Sequence, residues 1–253
     1  MISQVKWRVG KDVKHFKPGD DVFGDSAESG FGAFAEYVSV PEEYLAPKPM
    51  NLTYEEAAIV PTAAVTALQG LRDKGKIQAR QKVLINGASG GVGIFAIQIA
   101  KSFGAEVTSV CSTRNIDLVR SVGTDYVIDH TKEDFTQSSK KYDLIVAVNG
   151  YHPISKYKQA LTANGTYVMV GGSGKQMTQA LLLGPWMSRF GNKKLCNLLQ
   201  RPKKEDLVFL KELLEAGEIQ PVMDKSYTLE EVPEAFKHID QGHVKGKNAI
   251  TIK

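Results

Sequence analysis

The chain has 253 residues, of which 42% are hydrophobic and 24% are charged, and its formal charge at neutral pH is +4. This length can bury a sizeable core in one large or two smaller domains. Because most basic residues are scattered among acidic ones, the composition argues against nucleic-acid binding and is compatible with small phosphate-bearing ligands.

The two cysteines, Cys111 and Cys196, lie far apart, and the sequence has no histidine and cysteine cluster at metal-ligand spacing. This pattern predicts neither a disulfide framework nor a zinc site. The N-terminus has no signal-peptide core, so the expected compartment is the cytoplasm. No apolar run reaches the roughly 20 residues that a membrane-spanning helix needs.

Residues 5–40 predict the short strands and turns of a small β-domain. A turn at residues 17–20 precedes a strand at 21–24, and alternating apolar side chains at 34–40 predict a strand with one buried face. Thr53 and Glu56 form a predicted capping box for a helix that begins near Tyr54. A second helix of small residues begins at 61 and ends near 70.

Residues 82–103 carry the most informative pattern. A short apolar run predicts a buried strand, a glycine-rich turn follows, and apolar residues at helical spacing predict a helix. Ala88, Gly90 and Gly93 occupy the three small positions of a dinucleotide fingerprint, with alanine in place of the first glycine. A plain strand–turn–helix joint is the alternative. The predicted cofactor contacts in the turn are Ser89, Gly90, Gly91, Val92 and Gly93.

The same pattern then repeats along the chain. Strands are predicted at 106–110, 126–128, 143–148 and 166–170, and helices at 115–122 and 154–161. The alternation indicates an α/β fold with a doubly wound parallel sheet, in which ligands gather at the carboxyl ends of the strands.

The segment after the strand predicted at 106–110 bears on cofactor choice. An NAD site usually has an acidic residue there, but this segment offers Ser112 and Arg114 instead. Both side chains can bind a 2′-phosphate, so the sequence favours NADPH over NADH. The alternative for Arg114 is a solvated surface residue.

Further candidate cofactor contacts follow the later strands. His130 follows the strand predicted at 126–128, although a lone histidine there is more often a surface residue. Asn149 follows the strand predicted at 143–148, and Gly171 and Gly172 follow the one at 166–170, where a missing side chain would let the backbone approach a nicotinamide ring.

The C-terminal third is less regular at first. Residues 181–204 combine apolar and basic side chains, which is compatible with a membrane-surface segment and more economically explained as an amphipathic lid or a subunit contact. Helices are predicted at 205–216 and at 232–239, the second capped by Thr228 and Glu231, and a final strand at 249–252.

Four motifs occur in a family-specific order. They are FKPGDDVFG at 16–24, PTAAVTAL at 61–68, NGASGGVG at 86–93 and GHVKGKNAITI at 242–252. In this order they resemble the quinone oxidoreductase branch of the zinc-free medium-chain dehydrogenase/reductases. The CSTRN stretch at 111–115 is similar to the chloroplast-envelope quinone oxidoreductase homologues.

The resemblance implies a Rossmann domain at 61–199 and a partial GroES-like β-domain at 1–60, completed by 200–253. It implies NADPH in the cleft and hydride transfer to a quinone or an α,β-unsaturated carbonyl. Thr66 would lie near the nicotinamide, and Lys247 is a further cofactor candidate. No catalytic side chain is assigned, since water can protonate the product.

The resemblance also shows a departure from the family. Only fifteen residues precede the motif at 16–24, whereas the family has several strands there. The sequence therefore resembles a member that lacks roughly the first third to half of its β-domain. Unpaired strand edges would favour a homodimer. An NADPH-binding protein without turnover, such as a sensor, a partner protein or a remnant, is the alternative function.

Overall fold

A computed structural model describes residues 9–30, 32–150, 152–172, 174–189, 191–242 and 244–252. These residues form two compact units. One unit contains the chain up to Val65 and from Arg201 onward, and the other contains Thr66–Gln200. The predicted domain limits lie at the neighbouring positions 60/61 and 199/200, and the GroES-like assignment stays a prediction.

The first unit begins with a small antiparallel ladder. Strand β1 (Val22–Gly24) pairs with β2 (Leu45–Pro47). Helix α1 (Tyr54–Ala58) begins at the predicted capping box, in which the Glu56 N–H donates to Thr53 Oγ1 at 3.2 Å and the Thr53 N–H donates to the Glu56 carboxylate at 2.9 Å. Reciprocal bonds of this kind satisfy two N–H groups that the helix itself cannot pair.

The strand predicted at 34–40 was wrong. The described part of this segment is irregular, and Phe34 and Tyr37 are exposed. Alternating side chains form a strand only where a neighbouring strand supplies ladder hydrogen bonds, and among the described residues β1 and β2 pair only with each other. Predicted structure before residue 9 lies outside the described residues.

The second unit, together with the helix that leads into it, contains the repeating strand–helix pattern. Its elements are α2 (Pro61–Leu68), β3 (Lys82–Asn86), α3 (Gly91–Ser102), β4 (Glu106–Cys111), α4 (Ile116–Ser121), β5 (Tyr126–Asp129), β6 (Tyr142–Ala147), α5 (Ile154–Ala160), β7 (Leu161–Met169), α6 (Gly174–Ser188) and β8 (Lys194–Asn197).

The six strands of this unit form one parallel sheet in the order β5-β4-β3-β6-β7-β8. This is the doubly wound order of a Rossmann fold, so the predicted fold class is confirmed. From β3 the chain adds strands on one side, as far as β5, and then on the other side, beginning with β6. The boundary between β3 and β6 is therefore a switch point, where ligands of such sheets bind. Val83, Leu84 and Ile85 of β3 are fully buried, as a sheet covered on both faces requires.

One predicted boundary in this unit is wrong, and one strand was not predicted. Strand β7 begins at Leu161 rather than at 166, and the stretch at 181–204 contains the sixth strand as well as part of a helix. Leu195 is buried where β8 pairs with β7, so part of this stretch belongs to the sheet. Leu182 and Trp186 on α6 are exposed. Among the described helices, none is long and apolar enough to cross a membrane.

The chain then returns to the first unit. This part contains α7 (Lys204–Glu215), β9 (Met223–Thr228), α8 (Val232–Asp240) and β10 (Lys247–Thr251). Strands β9 and β10 pair in parallel. The Thr228 N–H donates to the Glu231 carboxylate at 2.8 Å, but Glu231 rather than Thr228 is the residue that precedes the first turn of α8.

Candidate cofactor site

The turn after β3 lies against the turn after β6. Gly87 has a φ of +84°, and a Cβ added there would lie 2.6 Å from the backbone nitrogen of Asn149. Only glycine combines this left-handed conformation with so close an approach. Gly87 therefore brings the two central strands' turns together at the switch point of the sheet.

Gly90 and Gly93 serve different purposes in the same turn. A Cβ at Gly93 would contact the Gly87 carbonyl oxygen and lie 2.6 Å from the Ala88 carbonyl oxygen, so this glycine lets α3 pack on the turn. A Cβ at Gly90 would meet only the Gly87 carbonyl oxygen, at 3.7 Å. The fold itself therefore does not need a glycine at position 90, and space is open beside its Cα.

The first turn of α3 is suited to an anion. Helix α3 begins with Gly91, Val92 and Gly93. Their backbone N–H groups have no hydrogen-bond acceptor within the helix, because no helical carbonyl lies one turn before them. The N-cap residue is Gly90, which has no side chain to cap them, and the first turn contains no acidic residue. The helix dipole adds partial positive charge at this end, so the turn can bind a phosphate.

The loop after β4 is tied to this turn by a residue that the sequence reasoning did not select. The side-chain nitrogen of Asn115 donates to Ser89 Oγ at 2.9 Å and to Ser112 Oγ at 3.3 Å. Ser112 is half-buried and Arg114 is exposed. Asn115 thus connects two of the predicted contact segments. No local sequence signal reveals a bond between residues that are 26 positions apart.

Asp129 at the end of β5 anchors the same loop from the other side. Its carboxylate accepts hydrogen bonds from the hydroxyls of Thr113 at 2.5 Å and Thr131 at 2.7 Å. The Thr113 hydrogen bond, supported by those from Thr131, holds the pKa of Asp129 well below its usual range. Burial raises the pKa of the neighbouring Cys111 thiol to about 11, so this cysteine is a neutral packing residue.

His130 is exposed beyond β5, and its backbone N–H donates to the Cys111 carbonyl oxygen at 3.0 Å. The structure therefore places its backbone beside the loop that carries Ser112. Its side chain remains on the surface, which agrees with the more common role of a lone histidine at a strand end.

A buried tyrosine supports the turn after β6. Asn86, the last residue of β3, donates through its side chain to the Tyr157 hydroxyl at 2.8 Å, and that hydroxyl lies 3.4 Å from the Gly150 carbonyl oxygen. Asn149 is exposed, and its N–H donates to the Asn86 carbonyl oxygen at 3.2 Å. Burial raises the pKa of Tyr157, which stays protonated and able to donate.

The glycines after β7 fit the sheet edge closely. A Cβ at Gly171 would lie 2.6 Å from the Val148 carbonyl oxygen, and Gly172 has a φ of +129°. Thr66 is buried in α2, one turn before Gly70. A Cβ at Gly70 would lie 2.9 Å from a side-chain methyl group of Val170, so the segment that follows Thr66 packs near the end of β7.

The structure thus brings together the predicted contacts after β3, β4 and β6 at one edge of the sheet, and those after β5 and β7 flank them. Lys247 belongs to the other unit, where it begins β10. Burial lowers the pKa of Lys247, and the carboxylate of Asp25 opposes this shift. The described residues contain no group of three or more histidine, cysteine or acidic side chains arranged to hold a metal ion.

The strand order and the strand–turn–helix unit define a Rossmann-fold protein. A protein-family model described as zinc-binding dehydrogenase matches residues 122–250. The chloroplast envelope quinone oxidoreductase homolog of Arabidopsis thaliana is 33% identical over 248 residues, which cover 94% of this chain and 74% of the relative.

Two further comparisons agree. The mitochondrial NAD(P)H oxidoreductase RTN4IP1 of Bos taurus is 35% identical over 99% of this chain and 69% of its own length. The solved quinone oxidoreductase from Coxiella burnetii superposes with a TM-score of 0.85 at 27% identity, over 97% of this chain and 76% of that one. The chain belongs to the medium-chain dehydrogenase/reductase family, in its zinc-free quinone oxidoreductase branch.

Proposed function

We propose that the protein is an NADPH-dependent oxidoreductase that reduces a quinone or an α,β-unsaturated carbonyl compound. Relatives named quinone oxidoreductase and NAD(P)H oxidoreductase support an oxidoreductase with a nicotinamide cofactor. The observation that carries the proposal is the uncapped first turn of α3, which lies at the switch point beside the loop that contains Ser112 and Arg114.

The residues present fit a dinucleotide. The open space beside Gly90 admits a pyrophosphate close to the backbone, and the N–H groups of Gly91 to Gly93 supply its donors. In the proposal, Ser112 and Arg114 bind the 2′-phosphate, and Asn149, Gly171 and Gly172 border the nicotinamide. Thr66 and His130 are further proposed contacts in the same unit, and the role of Lys247 stays a prediction from the family resemblance.

The charge distribution favours NADPH over NADH. Arg114 contributes a permanent positive charge, and its planar guanidinium matches phosphate geometry. Asp129, an acidic residue at the end of the neighbouring strand β5, is only 7% exposed, and its carboxylate accepts hydrogen bonds from threonine hydroxyls. In an NAD site an acidic residue accepts a hydrogen bond from the ribose 2′-hydroxyl. The Asp129 carboxylate is already bound to threonine hydroxyls and does not take this role in the proposal.

When bound, NADPH supplies the hydride, and the reduced quinone takes one further proton. Water can deliver this proton, so we assign no side chain as an acid. The protein binds and orients the cofactor and the substrate, and it excludes water from the reacting groups. We also propose that zinc takes no part, since Cys111 and Cys196 lie on strands β4 and β8, separated in the sheet by three other strands.

The decisive experiment follows binding and turnover separately. The purified chain is titrated with NADPH and NADH, and NADPH oxidation is then followed with 1,4-benzoquinone, 9,10-phenanthrenequinone and but-3-en-2-one, with protein-free reactions as the control. Oxidation above the control rate is expected for at least one acceptor. Tight NADPH binding without oxidation contradicts the enzyme and supports a binding protein without turnover. Absence of binding contradicts both.

Three properties stay predictions alongside this function. They are the homodimer, the cytoplasmic compartment and the surface role of residues 181–204. The exposed Leu182 and Trp186 on α6 are compatible with a subunit contact or with a membrane surface.

A further inference from the structure

Asn115 occupies a position where asparagine normally caps a helix, yet it does not do so. It immediately precedes α4, and its side chain makes no capping hydrogen bond to that helix. Asparagine is among the preferred N-cap residues because its oxygen pairs with a free N–H of the first turn. Here the side chain is buried, with 6% of the residue exposed, and points its amide elsewhere.

The amide nitrogen of Asn115 is shared between two serines. It lies 2.9 Å from Ser89 Oγ in the glycine turn and 3.3 Å from Ser112 Oγ in the loop after β4. A side-chain NH₂ group can only donate, so both serine oxygens must accept. Each serine then keeps its own hydroxyl proton for another acceptor. An anion is an acceptor that such a pair of donors favours.

The carbonyl oxygen of the same amide gives an independent sign of a ligand. Asn115 Oδ1 is buried and has no hydrogen-bond partner among the described residues. Buried polar atoms are nearly always paired, so this acceptor calls for a donor that the described part of the chain does not supply. The hydroxyl groups of a ribose are donors of the required kind.

We propose that Asn115 is a positioning residue that orients the Ser89 and Ser112 hydroxyls toward two phosphate groups of one NADP-type dinucleotide. Ser89 donates to the pyrophosphate, Ser112 donates to the 2′-phosphate, and Asn115 Oδ1 accepts from a ribose hydroxyl. The inference rests on the proposed function for the identity of the ligand. It adds that one buried amide couples recognition of the two phosphate sites.

Two substitutions test the amide. Asn115→Asp keeps the shape but replaces the donor with a negatively charged acceptor to which both serine hydroxyls donate, so NADPH affinity should fall about 100-fold. Asn115→Leu removes the hydrogen bonds at similar volume, and affinity should fall about tenfold. NADH should be weakened less than NADPH in both variants, because NADH lacks the group that Ser112 binds.

The matched control is Ser109→Ala on β4, which removes a partly buried hydrogen bond to Thr124 in the turn before β5 and leaves the three side chains of the bridge in place. Dissociation constants for NADPH, NADH and 2′,5′-ADP are measured by calorimetry, and Tm values without ligand report folding. The control should lower Tm and leave the ratio of the NADPH and NADH affinities unchanged.

A double-mutant cycle separates positioning from a purely structural role. In a Ser112→Ala background the Asn115→Leu effect on NADPH should shrink at least threefold, since half of the bridge is already gone. An unchanged effect in that background, or equal losses for NADPH and NADH, would overturn the inference. So would a wild-type chain that binds none of the three nucleotides.

Different experimental results contradict the proposed reaction and the proposed role of Asn115. A wild-type chain that binds 2′,5′-ADP and NADPH but oxidises no acceptor contradicts the reaction, while the affinity ratios still test Asn115. A chain that turns over normally and whose Asn115 variants bind NADPH as the wild type does contradicts the inference alone.

Discussion

At the scale of single residues, the glycines of the turn after β3 separate folding from binding. Gly93→Ala places a Cβ against the backbone oxygens of residues 87 and 88, so unfolding free energy should fall by about 1–3 kcal/mol. Gly90→Ala meets no such obstacle and has an ordinary φ of −79°. It should keep its stability yet lose about tenfold or more in NADPH affinity, because its methyl group occupies the proposed pyrophosphate space.

These two variants are compared by urea unfolding and by NADPH titration. Equal stability of both variants would contradict the packing role of Gly93. An unchanged NADPH affinity in Gly90→Ala would contradict the pyrophosphate position.

Arg114 gives the second prediction at this scale. Arg114→Ala should weaken NADPH by about tenfold and leave NADH nearly unchanged, because only NADPH carries the 2′-phosphate with which the guanidinium pairs. Arg120→Ala, an exposed arginine of α4, is the matched control for the loss of one charge. Similar losses for the two cofactors would argue against a 2′-phosphate contact at Arg114.

At the scale of elements, we expect Asp129 to make the stability of the loop after β4 depend on pH. Its folded-state pKa is lowered, chiefly by the Thr113 hydroxyl, so the ionised carboxylate stabilises the folded state above the unfolded pKa of about 3.9. This stabilisation is lost as pH falls toward the lower folded value. Asp129→Asn should therefore have a lower Tm than wild type at pH 7, and the difference should narrow below about pH 4.

Thermal melts between pH 3 and 7 check this dependence, with the exposed Asp117→Asn as the control for net charge. A Tm difference that stays constant across this range would show that the Asp129 hydrogen bonds do not depend on its ionisation.

The elements also show what the sequence could predict. The strand, turn and helix at 82–103 follow from a buried apolar run and a clear change of period, and the capping box at Thr53 follows from a local pair of side chains. Strand β8 has only Leu195 fully buried and forms through its pairing with β7, so it has no periodic signal of its own. The segment at 34–40 has the alternation of a strand but no partner among the described residues.

The candidate site likewise contains residues that the sequence predicts and contacts that it does not. Glycines and charged residues after strands are visible in the sequence, because parallel strands place their carboxyl ends at one edge. The Asn115 bridge and the Tyr157 support depend on contacts between segments that are far apart along the chain. Only the assembled sheet brings these side chains together.

At the scale of the whole molecule, cofactor binding should appear as stability. A ligand that binds only the folded state at 100 times its dissociation constant adds about 2.7 kcal/mol, which for a chain of this size raises Tm by about 5–10 °C. Melts with NADPH and NADH at equal concentrations should show the larger shift for NADPH. Equal shifts, or none, would contradict the proposed cofactor preference.

The uncapped first turn of α3 has a practical consequence for handling the protein. Its three N–H donors do not distinguish a pyrophosphate from a small oxyanion, so phosphate or sulfate in the buffer competes for the same position. The apparent NADPH affinity should therefore be lower in phosphate than in a chloride buffer of equal ionic strength. Titrations in the two buffers compare this directly, and Gly90→Ala should reduce the difference by blocking both occupants.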